Sequence, residues 1–230
     1  MLALPPDAAR HVQVLRLQPG AALTLFDGRG GQWAAEVLAI GRREVQVQVH
    51  GHEAVEREAP RAVTLAVGMP ANERMDALVE KATELGVAAI VPLLCERSVL
   101  RVEGERAARK AAHWRAVAAA ACEQCGRNRL PEIAAPQPLA AALAARPAGA
   151  TAWVLSLAAD ARPAAALLSR LHPREPAWVF SGPEGGFSPT EEAAARAAGA
   201  LAASLGPRVL RADTAPLAIL ALMSLPEAAP

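Results

Sequence analysis

What the chain lacks narrows the field first. Over 230 residues the formal net charge is only +1. No whole-molecule field draws it to nucleic acid, so any RNA affinity has to come from a local patch. No apolar run reaches the roughly 18 residues that span a bilayer. The opening MLALPPDAARHV has no basic segment ahead of a long apolar core, so a secretory leader is not expected. Cysteines number three, an odd count that argues against a disulfide framework and for a reducing, cytoplasmic setting. Lysine is nearly missing, with Lys81 and Lys110 alone against a crowd of arginines. Arginine suits bidentate phosphate contacts, although a GC-rich genome explains both it and the abundant alanine. No G-x-G-x-x-G follows a strand and no G-x-x-x-x-G-K-[ST] occurs, which argues against a phosphate cradle. Ser181 and Ser188 lie outside any G-x-S-x-G elbow, so a hydrolase triad has no support.

What is present divides into two patterns. Residues 12–50 read as β structure: a run from His11 to Leu17, then Leu23–Phe26 meeting the turn pair Asp27-Gly28, then Trp33–Ile40. Val45, Val47 and Val49 follow, alternating with polar residues. Four short strands with tight turns predict a small barrel, and 51–61 reads as a linker. From residue 62 the period changes. Val63–Gly68, Val87–Leu94, Ala152–Leu157, Trp178–Phe180 and Leu201–Leu205 read as buried strands. Between them lie helical patterns: Met75 to Leu85 with Gly86 as the stop, Glu105–Gln124, Leu139–Ala145 and Pro163–Leu171. Such alternation predicts an α/β domain, a largely parallel sheet covered on both faces, over 62–230, preceded by a small β domain over 1–61.

The chemistry is expected between Trp178 and Ala215. A strand stops at Ser181-Gly182-Pro183, and Ser188-Pro189-Thr190-Glu191 reads as a capping box that starts a helix ending near Gly199. A second strand ends at Gly206-Pro207, and Asp213 or Thr214 can cap a last helix, Pro216–Ser224. Loops of this kind lie at the carboxyl ends of strands, where open α/β sheets bind ligands. Gly182, Gly185 and Gly186 either bring bare backbone to a ligand or only make tight turns. Asp213 is a proton acceptor or a helix cap, and Glu184 a proton acceptor or a turn residue. Gly126-Arg127-Asn128-Arg129 is a phosphate clamp or a helix stop with well-placed cations. Cys122-x-x-Cys125 has too few further ligands for zinc and sits at the wrong end of a helix for a redox pair. His50 and His52 read as surface histidines, so no metal is expected.

The segments GPEGG, LGPRVLRADTA, ACEQCGRNRLPEI, NERMDALVEKATELGVAAIVPLLCERSV and HVQVLRLQPGAALTLFDG together resemble the RsmE-type methyltransferases of the SPOUT superfamily, over nearly the whole chain. The resemblance implies a PUA-like β-barrel followed by a SPOUT domain with a trefoil knot, and a homodimer formed through the knotted region. It implies S-adenosylmethionine as donor and N3 of a uridine in 16S rRNA of the 30S subunit, or of its late assembly intermediate, as acceptor; by the same resemblance this is uridine 1498. The donor would lie among Leu157, Gly182, Gly185, Gly186, Leu205, Gly206, Leu210, Thr214 and Ala215. RNA would meet Arg16, Arg97, Arg127, Asn128 and Arg129. Arg211, Asp213 and Glu184 would carry the chemistry. The family usually reads R-T-E-T where this chain has Arg211-Ala212-Asp213-Thr214. It also has about a strand more before the segment at His11, so a barrel without its first strand is expected here.

Overall fold

The computed structural model describes residues 1–225, which form two units. The first comprises Met1–Arg57 together with Gly126–Arg129, and the second Glu58–Cys125 with the chain from Leu130 onward.

In the first unit a short strand, β1 (Leu2–Ala3), is followed by a helix, α1 (Pro6–Val14), and by β2 (Ala22–Leu25), β3 (Gln32–Ile40) and β4 (Val45–Glu53). The strands form an antiparallel sheet in the order β1-β4-β3-β2. The sheet therefore does begin with a strand ahead of the segment at His11, of two residues only. Two register shifts in β3, at Trp33/Ala35 and Val37/Ala39, bend it. Its apolar face, Val37, Val45 and Val47, packs with Leu4, Ala9 and Val12.

The strand expected over His11–Leu17 is in fact the second half of α1 and its exit. The alternation of Val12 and Val14 imitates a strand, but three helix signals outweigh it. Pro6 stands where a missing amide costs nothing, Asp7 occupies the first turn, and Ala9 and Val12 bury one face at a spacing of three. The helix leaves through a Schellman arrangement, with the amides of Arg16 and Leu17 bonded to the carbonyls of Gln13 and Val12. Arg16 holds the left-handed position, φ 53°, that glycine usually takes. The turn expected at Asp27-Gly28 is also longer. Phe26–Gly31 connects β2 to β3, and the loop receives the segment 126–129 through β-bridges from Gly28 and Arg29 to Arg129.

In the second unit the elements run β5 (Val63–Gly68), α2 (Asn72–Glu84), β6 (Ala89–Leu94), α3 (Gly104–Cys125), β7 (Glu132–Ile133), β8 (Gln137–Pro138), α4 (Leu139–Ala145), β9 (Thr151–Leu155), β10 (Arg162–Pro163), α5 (Ala164–Leu168), β11 (Ala177–Ser181), α6 (Pro189–Ala197), β12 (Leu201–Ser204) and α7 (Thr214–Ser224). The sheet is parallel throughout, in the order β10-β12-β9-β11-β5-β6-β7, with β8 also on β6. One face packs under α2, α3, α5 and α7 around Leu65, Val67, Trp114, Trp153, Val179 and Ile219. The other packs under α4 and α6 around Ala66, Val91, Leu139, Val154, Phe180 and Ala195. Both faces are thus buried, which is why these strands read as continuous apolar runs. Chain order and space part company at β9, which lies between β11 and β12. The connections leaving β9 and β11 cross opposite faces, and a crevice opens where their carboxyl ends meet.

Candidate functional site

That crevice holds a cavity of about 470 Å³, within the range of small-molecule sites. Three loops and one helical residue line it. Leu155, Ser156 and Leu157 come from the end of β9, Ser181 through Gly186 from the end of β11, Ala203 from β12, and Leu205, Gly206, Arg208 to Ala212 and Ala215 from beyond it, while Arg74 reaches in from α2. Of the residues expected to hold a donor, Leu157, Gly182, Gly185, Gly186, Leu205, Gly206, Leu210 and Ala215 all line this cavity. Thr214 does not, and it begins α7 at the border of the site.

The glycines divide by role. A side chain on Gly182 would strike the backbone of Gly186 and Phe187 at 2.7 and 2.5 Å, so this residue closes the turn on itself. A side chain on Gly185 would meet Arg97 Cβ at 3.1 Å. Its bare backbone therefore makes room for Arg97, which donates from Nη1 to the carbonyls of Gly185 at 2.9 Å and Phe187 at 3.3 Å. Gly206 differs: φ is +100° and nothing stands within 4 Å of where its Cβ would lie. It is open backbone on the wall of the cavity, with apolar Leu155, Leu157, Leu205 and Leu210 around the same space.

The loop at 182–187 is tied down on both sides. The capping box expected at Ser188 is formed: the Glu191 amide donates to Ser188 Oγ at 3.1 Å and the Ser188 amide to Glu191 Oε2 at 2.8 Å. The other oxygen of Glu191 accepts the Glu96 amide at 2.9 Å, joining this loop to the one after β6. Beneath that junction the Cys95 thiol is pushed up to about 12, mainly by burial and then by the Glu191 carboxylate.

The three residues assigned to chemistry fare differently. Arg211 is exposed on the cavity, and its carbonyl accepts the amides of Thr214 at 3.0 Å and Ala215 at 2.9 Å, which locks its backbone to the start of α7. Glu184 also lines the cavity, but Oε1 is engaged: it accepts the Ala71 amide at 3.0 Å, serving as a remote cap for α2, and faces Arg74 Nη1 at 3.9 Å. Asp213 stands at the N-cap position of α7 without making a capping bond, and its buried Oδ1 has no hydrogen-bond partner among the described residues. It is not part of the cavity wall.

The residues assigned to RNA are distributed over both units. Arg16 is exposed at the end of α1. Arg127 and Asn128 are buried, 5% and 2% exposed. Asn128 donates from its side chain to the Val55 carbonyl and accepts the Gly30 amide on its backbone oxygen at 3.1 Å. Arg129 is exposed and pairs with Glu56 at 3.3 Å. Sequence reasoning missed Arg74 and Ser156, which also line the cavity, and named Arg208 without giving it a role. Of these only Arg208 lay in the stretch already singled out, beside Gly206-Pro207. No disulfide joins the three cysteines, of which Cys95 and Cys122 are buried.

Comparison with known proteins bears on this arrangement. The family model of an RNA methyltransferase domain matches residues 57–224, and that of an RNA methyltransferase PUA domain matches residues 4–49. Ribosomal RNA small subunit methyltransferase E of Synechocystis sp. is 33% identical over 210 residues, 91% of this chain and 67% of that protein. The protein of the same name from Mycobacterium bovis is 34% identical over 209 residues, 88% of this chain and 77% of its own length. A ribosomal RNA small subunit methyltransferase E from Neisseria gonorrhoeae, solved bound to S-adenosyl methionine, superposes with a TM-score of 0.88 at 35% identity, covering 96% of this chain and 90% of that one. A methyltransferase from Legionella pneumophila, solved with its bound cofactor SAM, gives a TM-score of 0.88 at 34% identity, with 96% and 90% covered.

Proposed function

The chain belongs to the family of RNA methyltransferases that carry an N-terminal PUA domain, and we propose that it methylates N3 of a uridine in 16S rRNA, uridine 1498 by resemblance. Its methyl donor is S-adenosylmethionine. The observation that carries this reading is the cavity where β9, β11 and β12 end, walled by leucines and bare backbone at Gly206 and free of any phosphate-binding glycine fingerprint. An adenosine joined to an amino acid, without phosphate, suits that mixture of apolar wall and backbone polar groups. Leu155, Leu157, Leu205 and Leu210 would hold its apolar parts, and the backbone of 182–186 and 205–210 would read its polar edges. When bound, the donor supplies a sulfonium methyl group for an in-line displacement.

The chain's own work is then alignment and charge control. Uracil N3 carries a proton and is a poor nucleophile until that proton leaves. Arg211 presents a permanent cation at the cavity from a locked backbone, and among the described residues its guanidinium has no hydrogen bond or ion pair. It would stabilise the uracil anion as it forms. Glu184 is less free for proton transfer, since one oxygen is spent on the Ala71 amide. Asp213 remains the candidate acceptor with an unsatisfied oxygen, acting through the opening of α7. RNA would be held by Arg16 and Arg129, with Arg97 shaping the cofactor loop.

The proposal includes the trefoil path and the homodimer of the RsmE-type enzymes, and with them work on the 30S subunit or its late precursor in the cytoplasm. Helix α7 supports the dimer: it is apolar all round, yet Ala218, Leu222 and Leu225 stand exposed. A helix of that composition is usually covered on every side, and a second copy would cover it. The test is calorimetric titration with S-adenosylmethionine, followed by mass analysis of nucleosides from 30S subunits incubated with enzyme and donor. Saturable binding and 3-methyluridine are expected. Binding without methylation would leave a donor-binding RNA module, and no binding would remove the reading.

A further inference from the structure

Helix α6 does more than connect two strands. Its side chains reach three loops. Glu191 holds the loop after β6 through the Glu96 amide and closes the loop after β11 through its capping box. The next residue, Glu192, and Arg196 one turn on hold the loop after β9 at both ends. At its start Ser156 Oγ donates to Glu192 Oε1 at 2.7 Å and accepts the Ala158 amide at 3.1 Å. At its end Arg196 forks onto Asp160, Nη1 to Oδ2 at 2.7 Å and Nη2 to Oδ1 at 3.1 Å. The same guanidinium bonds Glu192 Oε1 from Nε at 3.1 Å and from Nη2 at 2.8 Å. Ser156 is buried, and both it and Leu157 line the cavity.

We propose that the chain Ser156–Glu192–Arg196–Asp160 is a positioning device for the cofactor wall, with Arg196 as its keystone. The inference rests on the reading of the cavity as the donor site. The outer end of the network contributes little to fold stability: Asp160 is 69% exposed along its side chain, and exposed ion pairs add little. As a brace it is well placed. Main-chain bonds hold the span only at Ser156, whose amide donates to the Ala203 carbonyl at 3.0 Å, and in the turn where the Ala161 amide donates to the Ala158 carbonyl at 3.0 Å; the side-chain network adds the tie at Asp160, and Leu157, 70% exposed, lies between the two ends. A wall held in one conformation spares a ligand the ordering cost of making it. The Arg196–Asp160 fork also depresses the Asp160 carboxyl below its usual range.

The experiment compares wild type with Arg196→Met, Arg196→Lys and Asp160→Asn. The readings are donor affinity by calorimetry, thermal midpoint, and amide exchange of residues 156–161 in the free protein. Arg196→Met is expected to weaken donor binding about tenfold and to speed exchange in that loop, with the thermal midpoint nearly unchanged and RNA affinity intact. Asp160→Asn should act in the same direction, and the double substitution should cost less than the sum of the two. Lysine keeps the charge but loses the fork, so it should recover part of the affinity. Unchanged donor affinity in Arg196→Met overturns the proposal. So does a loss that follows the thermal midpoint and is not relieved by lysine, since that marks a general structural role. If wild type itself binds no donor, the reading of the cavity fails; unaltered loop exchange in Arg196→Met would then overturn the brace on its own evidence.

Discussion

Arg211 gives its carbonyl to the amides of Thr214 and Ala215 and keeps its guanidinium free at the cavity. A rigid backbone with an uncommitted cation is what charge stabilisation in a transition state requires. Arg211→Lys retains the charge and loses the planar fork, so single-turnover methylation at saturating donor should fall by about 10²-fold, the scale of one oriented donor. Donor and RNA affinities should move far less; a wild-type rate in the lysine variant would make Arg211 a positioning residue. Arg16 presents the opposite case, a residue kept at a conformational cost. Its left-handed backbone at a helix exit would suit glycine better. Arg16→Gly should raise stability by about 0.5–1 kcal/mol in denaturant unfolding and weaken RNA binding. A destabilised glycine variant would mean that the arginine side chain holds the helix end in place. Neither conformation is visible in a string of letters: the arginine at 16 reads as one more cation, and only the structure shows the strain.

At the scale of elements, the second unit was legible because its strands are buried on both faces and its helices carry clear stops. The spans from Val63 to Leu94, α3, α4 and the capping box at Ser188 appear close to where periodicity and capping chemistry put them. Helix α1 was not legible, since β-branched alternation at Val12 and Val14 outweighed the prolines and Asp7 before it. The cavity-lining glycines were legible as a group but not in their roles: Gly185 yields to Arg97, a residue 88 positions away, and no local pattern reports such a contact. The junction of the β6 loop with α6 makes its own prediction through Cys95. Its thiol ionises near 9 when exposed and only near 12 in the fold. Below pH 9 both states are protonated and the stabilising difference is fully present. As pH rises from 9 towards 12 the unfolded thiol loses its proton and the folded one does not, so stability should fall across that window. Comparing the pH dependence of unfolding in wild type and Cys95→Ala checks this. A slope identical in the two proteins would remove Cys95 from the account.

For the whole molecule, the proposed dimer rests on the apolar α7, since a net charge of +1 supplies little field. Leu222→Asp places a charge on the exposed side of α7, where the fold itself has little to lose. It should convert a dimer to a monomer in sedimentation velocity, with unfolding still cooperative; a monomeric wild type, or a dimer that survives the aspartate, would send the search for an interface elsewhere. The first unit carries a different consequence. It is finished by Gly126–Arg129, with Gly126 accepting a hydrogen bond from Arg57 at a separation of 69 residues. A growing chain emerges from its N-terminus and at about 5–20 residues per second. The residues of β1 to β4 are therefore synthesised several seconds before the piece that clasps the 26–31 loop, which follows α3 in the chain. A gene fragment cut at Arg57 would encode a unit without its clasp, so the earliest part of this protein to be synthesised is among the later parts to be completed.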